Sequence, residues 1–287
     1  MNILFDGLSL GAIYALIALG YTMVYGIAKM LNFAHGDIIM VGAYVILTML
    51  NLSGNPIVAI VASVVVCTAV GIVVERLAYK PLRGASPLAV LITAIGVSFF
   101  LQSIAQLIFG AKSQPVKMPH LGNLKIGSFE INVGTVVTLV VGAVIMATLQ
   151  VFVKKTRTGR AMRAVSEDRG AAQLMGINVN RIIMVTFAIG SALAAAASVF
   201  YLMQIPSTSP TLGSMPGIKA FTAAVIGGIG SIPGAMLGGV LLGIIEKVCL
   251  SIPQISSYTT AIEFSLLIVI LLVKPIGILG KVRREKV

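Results

Sequence analysis

Apolar residues run along this chain in blocks rather than in alternation. Runs of helical length occupy 3–28, 33–51, 57–74, 88–109, 131–153 and 182–205, followed by a longer one at 218–251 and a shorter one near 256–273. A hydrocarbon layer of about 30 Å needs about 20 helical residues, so most of these blocks have the length of one crossing. The block 218–251 does not: as one straight helix it would reach about 51 Å at about 1.5 Å per residue. Its middle reads Gly227-Gly228-Ile229-Gly230-Ser231-Ile232-Pro233-Gly234, and that density of glycine beside proline interrupts a helix. The pattern predicts an all-α, polytopic transmembrane helical bundle of about eight to nine membrane segments. Broken or half helices are among them, and 1–287 forms a single domain.

Composition closes off the alternatives to a membrane. Hydrophobic residues make up 57% of the chain and charged residues 10%, and the mean hydropathy is +1.02. Soluble domains carry about 25% charged residues, so a water-soluble fold could not cover its exterior, and disorder is excluded by the same figures. The net charge of +12 would suggest nucleic acid in a soluble protein. Here the excess of Lys and Arg that membrane proteins keep in cytoplasmic loops accounts for it, and no nucleic-acid partner is expected. With the N-terminus outside and every run reversing direction, 16 of the 21 Lys and Arg fall on the inner side and Lys112, Lys117, Lys125, Lys219 and Lys247 on the outer. The 154–181 loop and the C-terminal tail, with Lys274, Lys281, Arg283, Arg284 and Lys286, are thereby expected to be cytoplasmic. The first run is too long for a signal peptide and reads as a retained span. Gly7, Gly11 and Ala15 recur at every fourth residue, as do Gly234 and Gly238 and then Gly239 and Gly243, a spacing that lets helix backbones approach in lipid. Cys67 and Cys249 stand in apolar runs without His or Cys at ligand spacing, so they read as core residues and no metal site is expected.

Three stretches carry candidate chemistry. In Asn32-Phe33-Ala34-His35-Gly36-Asp37, Asn32 is placed to cap the next helix and Gly36 loosens the chain. His35 and Asp37 then fall in the first turns, near the inner membrane face, either on a substrate path or as interfacial charges. The loop 154–181 carries seven Lys and Arg against Glu167 and Asp168. Within it a helix of about ten residues is predicted from Ser166, as cap, to near Gly176. Ala171, Ala172, Leu174 and Met175 would give it a modest apolar surface, either held at anionic headgroups or inserted into a cytoplasmic partner. The break at 227–234 is either a tight turn or, through Gly227, Gly228 and Gly230, part of a substrate route. Glu246 and Glu263 lie in the last apolar runs and would face a polar cavity or each other's helices. No phosphate-binding Gly-x-x-x-x-Gly-Lys-Ser/Thr loop occurs; the sole Gly-Lys pair is Gly280-Lys281, followed by Val282, so ATP hydrolysis is not expected of this chain.

The stretches Gly-Ala-Ile-Tyr-Ala-Leu-Ile-Ala-Leu-Gly-Tyr at 11–21, Leu-Asn-Phe-Ala-His-Gly-Asp at 31–37, Ala-Val-Ser-Glu-Asp-Arg-Gly-Ala-Ala-Gln-Leu-Met-Gly-Ile-Asn at 164–178 and Val-Lys-Pro-Ile-Gly-Ile-Leu-Gly-Lys at 273–281 resemble the LivH-type permeases of bacterial branched-chain amino acid ABC importers. The resemblance covers nearly the whole chain. It implies an inner-membrane permease subunit that is not itself an enzyme. Its partners would be a second, LivM-like permease, two cytoplasmic ATPase subunits that bind ATP and Mg, an extracytoplasmic amino-acid-binding protein, and membrane lipid. It also implies that 164–178 is a coupling helix, with Glu167, Asp168, Arg169, Ala171, Ala172 and Gly176 transmitting motion from the ATPase. The Glu-Ala-Ala signature of other ABC permeases is only partly present in Glu167-Asp168-Arg169-Gly170-Ala171-Ala172. Three rival readings stay open: a permease for urea or short amides, a stand-alone secondary transporter or channel, and a membrane enzyme using His35 and Asp37.

Overall fold

The computed structural model describes residues 2–119, 122–126 and 129–280; the tail cations Lys281, Arg283, Arg284 and Lys286 lie outside the described residues. Its helices are α1 (Asn2–Ala28), α2 (His35–Ser53), α3 (Pro56–Val74), α4 (Pro87–Phe109), α5 (Val133–Lys155), α6 (Arg157–Glu167), α7 (Arg169–Leu174), α8 (Val179–Gln204), α9 (Ser214–Gly227), α10 (Ile232–Ser251) and α11 (Thr259–Val273). A π-helical turn, Glu75–Tyr79, extends α3. Polar residues mark the starts. The side chains of Asn55, Ser86, Asn132, Asn178 and Ser231 each accept from a backbone N–H in the first turn that follows, satisfying donors that have no partner inside the helix. Two short antiparallel pairs link loops, β1 (Gln114–Pro115) with β4 (Ser207–Thr208) and β2 (Asn123–Ile126) with β3 (Phe129–Asn132). Among the described residues, eight helical stretches are long and apolar enough to cross a membrane, and α9 is not one of them. Its 14 residues reach about 21 Å, short of a bilayer core of about 30 Å. This is a multi-pass membrane protein.

α1 runs through the centre: Ile13, Leu16, Ile17 and Leu19 are fully buried, with α8, α9, α10 and α5 around them. Its closest partner is α10, through the small residues the sequence spacing picked out. A Cβ on Gly11 would stand 2.7 Å from the Val240 Cα, and Gly239 and Gly243 lie directly against the backbone of Ala15 and Gly11. α3, α4, α5 and α11 turn apolar side chains outward, Val65, Phe99, Leu107, Val144 and Leu272 among them, a surface that requires lipid or another subunit as its solvent.

The break at 227–234 is a sharp turn between α9 and α10. Gly228 and Gly230 have φ of 106° and 93°, open to glycine and costly for other residues. The carbonyls that α9 leaves free at its C-terminus accept from the chain beyond α11: Ile278 N–H donates to the Ile226 carbonyl at 2.8 Å and Leu279 N–H to that of Gly227 at 2.9 Å.

Two expectations about the 154–181 loop need correction. A helix does not begin at Ser166, which lies within α6; the loop contains two helices, with a new start at Asp168. Thr156 caps α6 by accepting from Gly159 N–H at 3.0 Å. The helix forms because Gly159, Met162 and Val165 make one buried stripe while Arg157, Arg160 and Arg163 face outward. Asp168 then caps α7, accepting from Ala171 N–H at 2.9 Å.

Candidate functional site

α1 ends at Ala28, and the chain turns back into the bundle before α2 begins. Lys29 makes the reversal with φ 52°, and by His35 the chain lies beside Gly20 of α1, where a Cβ would collide with the imidazole. Gly20 stands eight residues before the end of α1, about 12 Å at about 1.5 Å per residue. His35 and Asp37 are therefore enclosed within the bundle, both at most 2% exposed. Asn32 does not cap α2, whose start has no side-chain cap. Its Oδ1 accepts instead from the Tyr79 hydroxyl at 2.8 Å, because the π-helical turn places that buried phenol against the returning chain.

Around this re-entrant segment the polar contacts come from four helices. Gln102 of α4 donates through Nε2 to Asp37 Oδ1 at 2.8 Å and to Ser214 Oγ, at the start of α9, at 3.2 Å. Gly36 sits against Gly213 and Gly217 at the same end of α9. The His35 ring meets Tyr21 edge-on with centroids 4.8 Å apart, and Tyr21 meets Phe221 of α9 at 5.8 Å. A narrow crevice lined by Tyr21, Tyr25, Leu31, Asn32, Phe221, Ala224 and Ile229 joins the re-entrant segment to the α9–α10 break. Buried polar atoms here lack hydrogen-bond partners: Thr22 Oγ1, Asn32 Nδ2 and His35 Nε2. Leaving such atoms unpaired costs about 1–3 kcal/mol each.

The structure thus brings Asn32, Gly36 and Asp37 to one place beside α9, with His35 packed next to them. Gly230 faces Gly26 of α1 on the far side of the break. Gly227 and Gly228 instead serve the turn, packed on Gly234 and on Gly277 and Gly280. Glu246 and Glu263 meet across their helices through Lys219: its Nζ lies 2.7 Å from Glu246 Oε1 and 3.2 Å from Glu263 Oε2, and Tyr14 donates to Glu246 Oε2 at 2.7 Å. Lys219, assigned above to an outer segment, is a buried member of the bundle.

The described chain matches, over residues 3–272, the family described as branched-chain amino acid transport system / permease component. Two curated relatives align almost end to end. The high-affinity branched-chain amino acid transport system permease protein BraD of Pseudomonas aeruginosa is 46% identical, over 99% of this chain and 97% of its own length. LivH of Escherichia coli K12, which carries the same description, is 45% identical over 99% and 96%. The chain belongs to this permease family. Among solved structures, an inward-facing putative metal-chelate type ABC transporter superposes with a TM-score of 0.55 at 15% identity, covering 94% of this chain and 85% of that one, a likeness of fold alone.

In this family member the segment 164–178 joins α5 to α8 and is part of no membrane-length helix among the described residues. Ala171, Leu174 and Met175 are exposed, the last two by 90% and 82%, whereas Ala172 is 4% exposed and faces the bundle. Gly176 follows with φ 80°, and Ile177 N–H closes the turn on the Ala172 carbonyl at 3.0 Å. Asp168 acts as the cap, and Glu167 is exposed at the end of α6. Gln102, Tyr21, Tyr79, Ser214 and Lys219 escaped sequence reasoning. The usable signal for Gln102 and Lys219 was polarity inside an otherwise apolar run; the tyrosines gave none.

Proposed function

We propose that this chain is the permease subunit of an ATP-driven importer for branched-chain and other neutral amino acids in a bacterial inner membrane. It forms the translocation path with a second permease. Two cytoplasmic ATPase subunits bind ATP and Mg and drive it, and an extracytoplasmic binding protein delivers the substrate. The near end-to-end kinship with BraD and LivH supports the substrate class. The observation that carries the coupling is the exposed Leu174–Met175 pair: two large apolar side chains on a short, capped helix outside every span, where a partner's groove would cover them. The cation distribution supports an outside N-terminus and a cytoplasmic C-terminus.

The path runs beside the re-entrant segment, and its unpaired polar atoms are suited to a zwitterion that needs transient partners and little affinity. Closure of the ATPases would shift the permease between states through differential contacts at the coupling segment. The test is replacement of Leu174 and Met175 by Asp. The ATPase subunits should no longer co-purify, and leucine uptake should fall at least about tenfold, with the variant still in the membrane. Undiminished uptake would overturn the coupling. Preference for labelled urea or acetamide over leucine would overturn the substrate class. ATP-independent accumulation by the chain alone in liposomes would make it a stand-alone carrier.

A further inference from the structure

Arg169 belongs to the coupling segment by resemblance, but its side chain does not point toward a cytoplasmic partner. It folds back, half-buried, and donates to the carbonyl of Ala28, the last residue of α1. A helix leaves its last four carbonyls without helical partners, and a cation there is favoured by the helix dipole. Burial, and next the nearby Arg83 guanidinium, pull the Arg169 pKa below the usual arginine value, yet the group remains a cation at neutral pH. The residue that follows Ala28 is the reversal at Lys29, and three residues further on Asn32 accepts from Tyr79. Beside this path stands a frame that does not include α7: Arg83 pairs with Glu75 and reaches Asn180 at the start of α8.

From this juxtaposition we propose that Arg169 is a positioning residue that transmits movement of the coupling helix to the C-terminus of α1, and through it to the re-entrant segment 29–37. The proposal rests on the importer reading and assigns the mechanical link within it. α7 and its C-cap turn Leu174 and Met175 outward for the ATPase, while Ala172 packs on the permease and the Arg169 side chain bonds to it. A pull on the outward pair reaches Arg169 because a helix of six residues is too short to bend. The α1 terminus is the receiving end because α1 is the most enclosed helix of the bundle, so a shift there is felt at Gly20 beside His35.

The experiment uses the whole transporter in proteoliposomes, with Arg169→Ala and Arg169→Lys compared with the natural chain. Arg169→Ala should keep the ATPase subunits bound and ATP hydrolysis within about twofold, while uptake per ATP falls at least about tenfold. Arg169→Lys, which retains a donor and the charge, should recover part of that ratio. An unchanged ratio in Arg169→Ala would overturn the proposal. So would loss of the ATPase subunits from that variant, which would make Arg169 a docking residue. Hydrogen exchange over 29–34 in the same membranes decides the matter independently of substrate. Arg169→Ala should speed it by at least about fivefold and Leu174→Ser should not; equal exchange in Arg169→Ala and the natural chain would overturn the link even if the importer reading failed.

Discussion

Both halves of α1 are buried, but they are built differently. The N-terminal half meets α10 backbone to backbone through Gly7, Gly11, Gly239 and Gly243, and two of its polar side chains are paired: Tyr14 with Glu246, and Ser9 accepting from Gln204 at 2.7 Å. The C-terminal half, Gly20 to Ala28, meets the re-entrant segment, the α9–α10 break and α6. There Thr22 Oγ1, Asn32 Nδ2 and His35 Nε2 are buried without partners, and a cleft of about 70 Å³ opens between Thr22, Arg163, Ser166 and Gly230. In lipid, where no hydrophobic force presses helices together, close backbone packing is what fixes a pair, while unpaired polar atoms and voids mark where a second arrangement would cost least. On that ground the N-terminal seam is expected to stay fixed and the C-terminal end of α1 to rearrange.

Placing bulk in the fixed seam should have the largest effect. In Gly11→Leu the new side chain meets the Val240 backbone, with the Cα 2.7 Å from the Cβ position, and backbone cannot swing aside. The loss should exceed the whole margin of about 5 kcal/mol typical of a folded domain, read as absence of monodisperse protein after detergent extraction. Normal yield would show that the seam tolerates separation.

Next comes the ion cluster joining α9 to α10 and α11. In Lys219→Met, Glu246 and Glu263 lose their shared cation while Glu263 stays fully buried; breaking a buried pair costs about 3–5 kcal/mol. Thermal unfolding in detergent should show the drop, and adding Glu263→Gln should recover a large part of it. No recovery in the double variant would mean that the cluster holds the fold through packing rather than charge.

The contrast also explains how far the sequence could be read. The spans, the break at 227–234 and the small-residue seam were visible because each is a local pattern: run length, glycine beside proline, and a repeat of four. The C-terminal end of α1 was hidden for three physical reasons. Re-entry of 29–34 depends on space that Gly20 leaves for His35, a contact between distant residues that no local pattern reveals. α6 was masked because its arginines dominate the charge count while its buried stripe consists of only Gly159, Met162 and Val165. Ser166 and Asp168 are both good caps, and the choice between them was made by where α6 had to end. Lys219 reads as an outer-segment cation because charge alone does not reveal that two glutamates wait on other helices.

Beside the re-entrant segment, Gln102→Leu removes the donor shared by Asp37 and Ser214. Stability should fall by about 2 kcal/mol, the scale of a lost hydrogen bond to a charged group. If the C-terminal end of α1 is the moving part, uptake per ATP should fall more steeply than stability does. Parallel losses would make Gln102 an ordinary packing residue.

The smallest change is Tyr79→Phe, which deletes one hydroxyl and keeps the ring tilted against Phe187, 5.1 Å between centroids. It frees Asn32 Oδ1 in a residue whose Nδ2 already lacks a partner, so the cost should be about 1 kcal/mol, close to the limit of a detergent melt. Transport is the sharper instrument here. The Tyr79–Asn32 bond is the described side-chain link between the π-helical turn and the re-entrant segment, so its loss should loosen that segment while the α1–α10 seam is untouched. The expected signature is faster hydrogen exchange confined to 29–34, with exchange across 7–15 unchanged. Faster exchange in both regions would mean that the two halves of α1 move as one body, and the division between a fixed seam and a changing end would have to be abandoned.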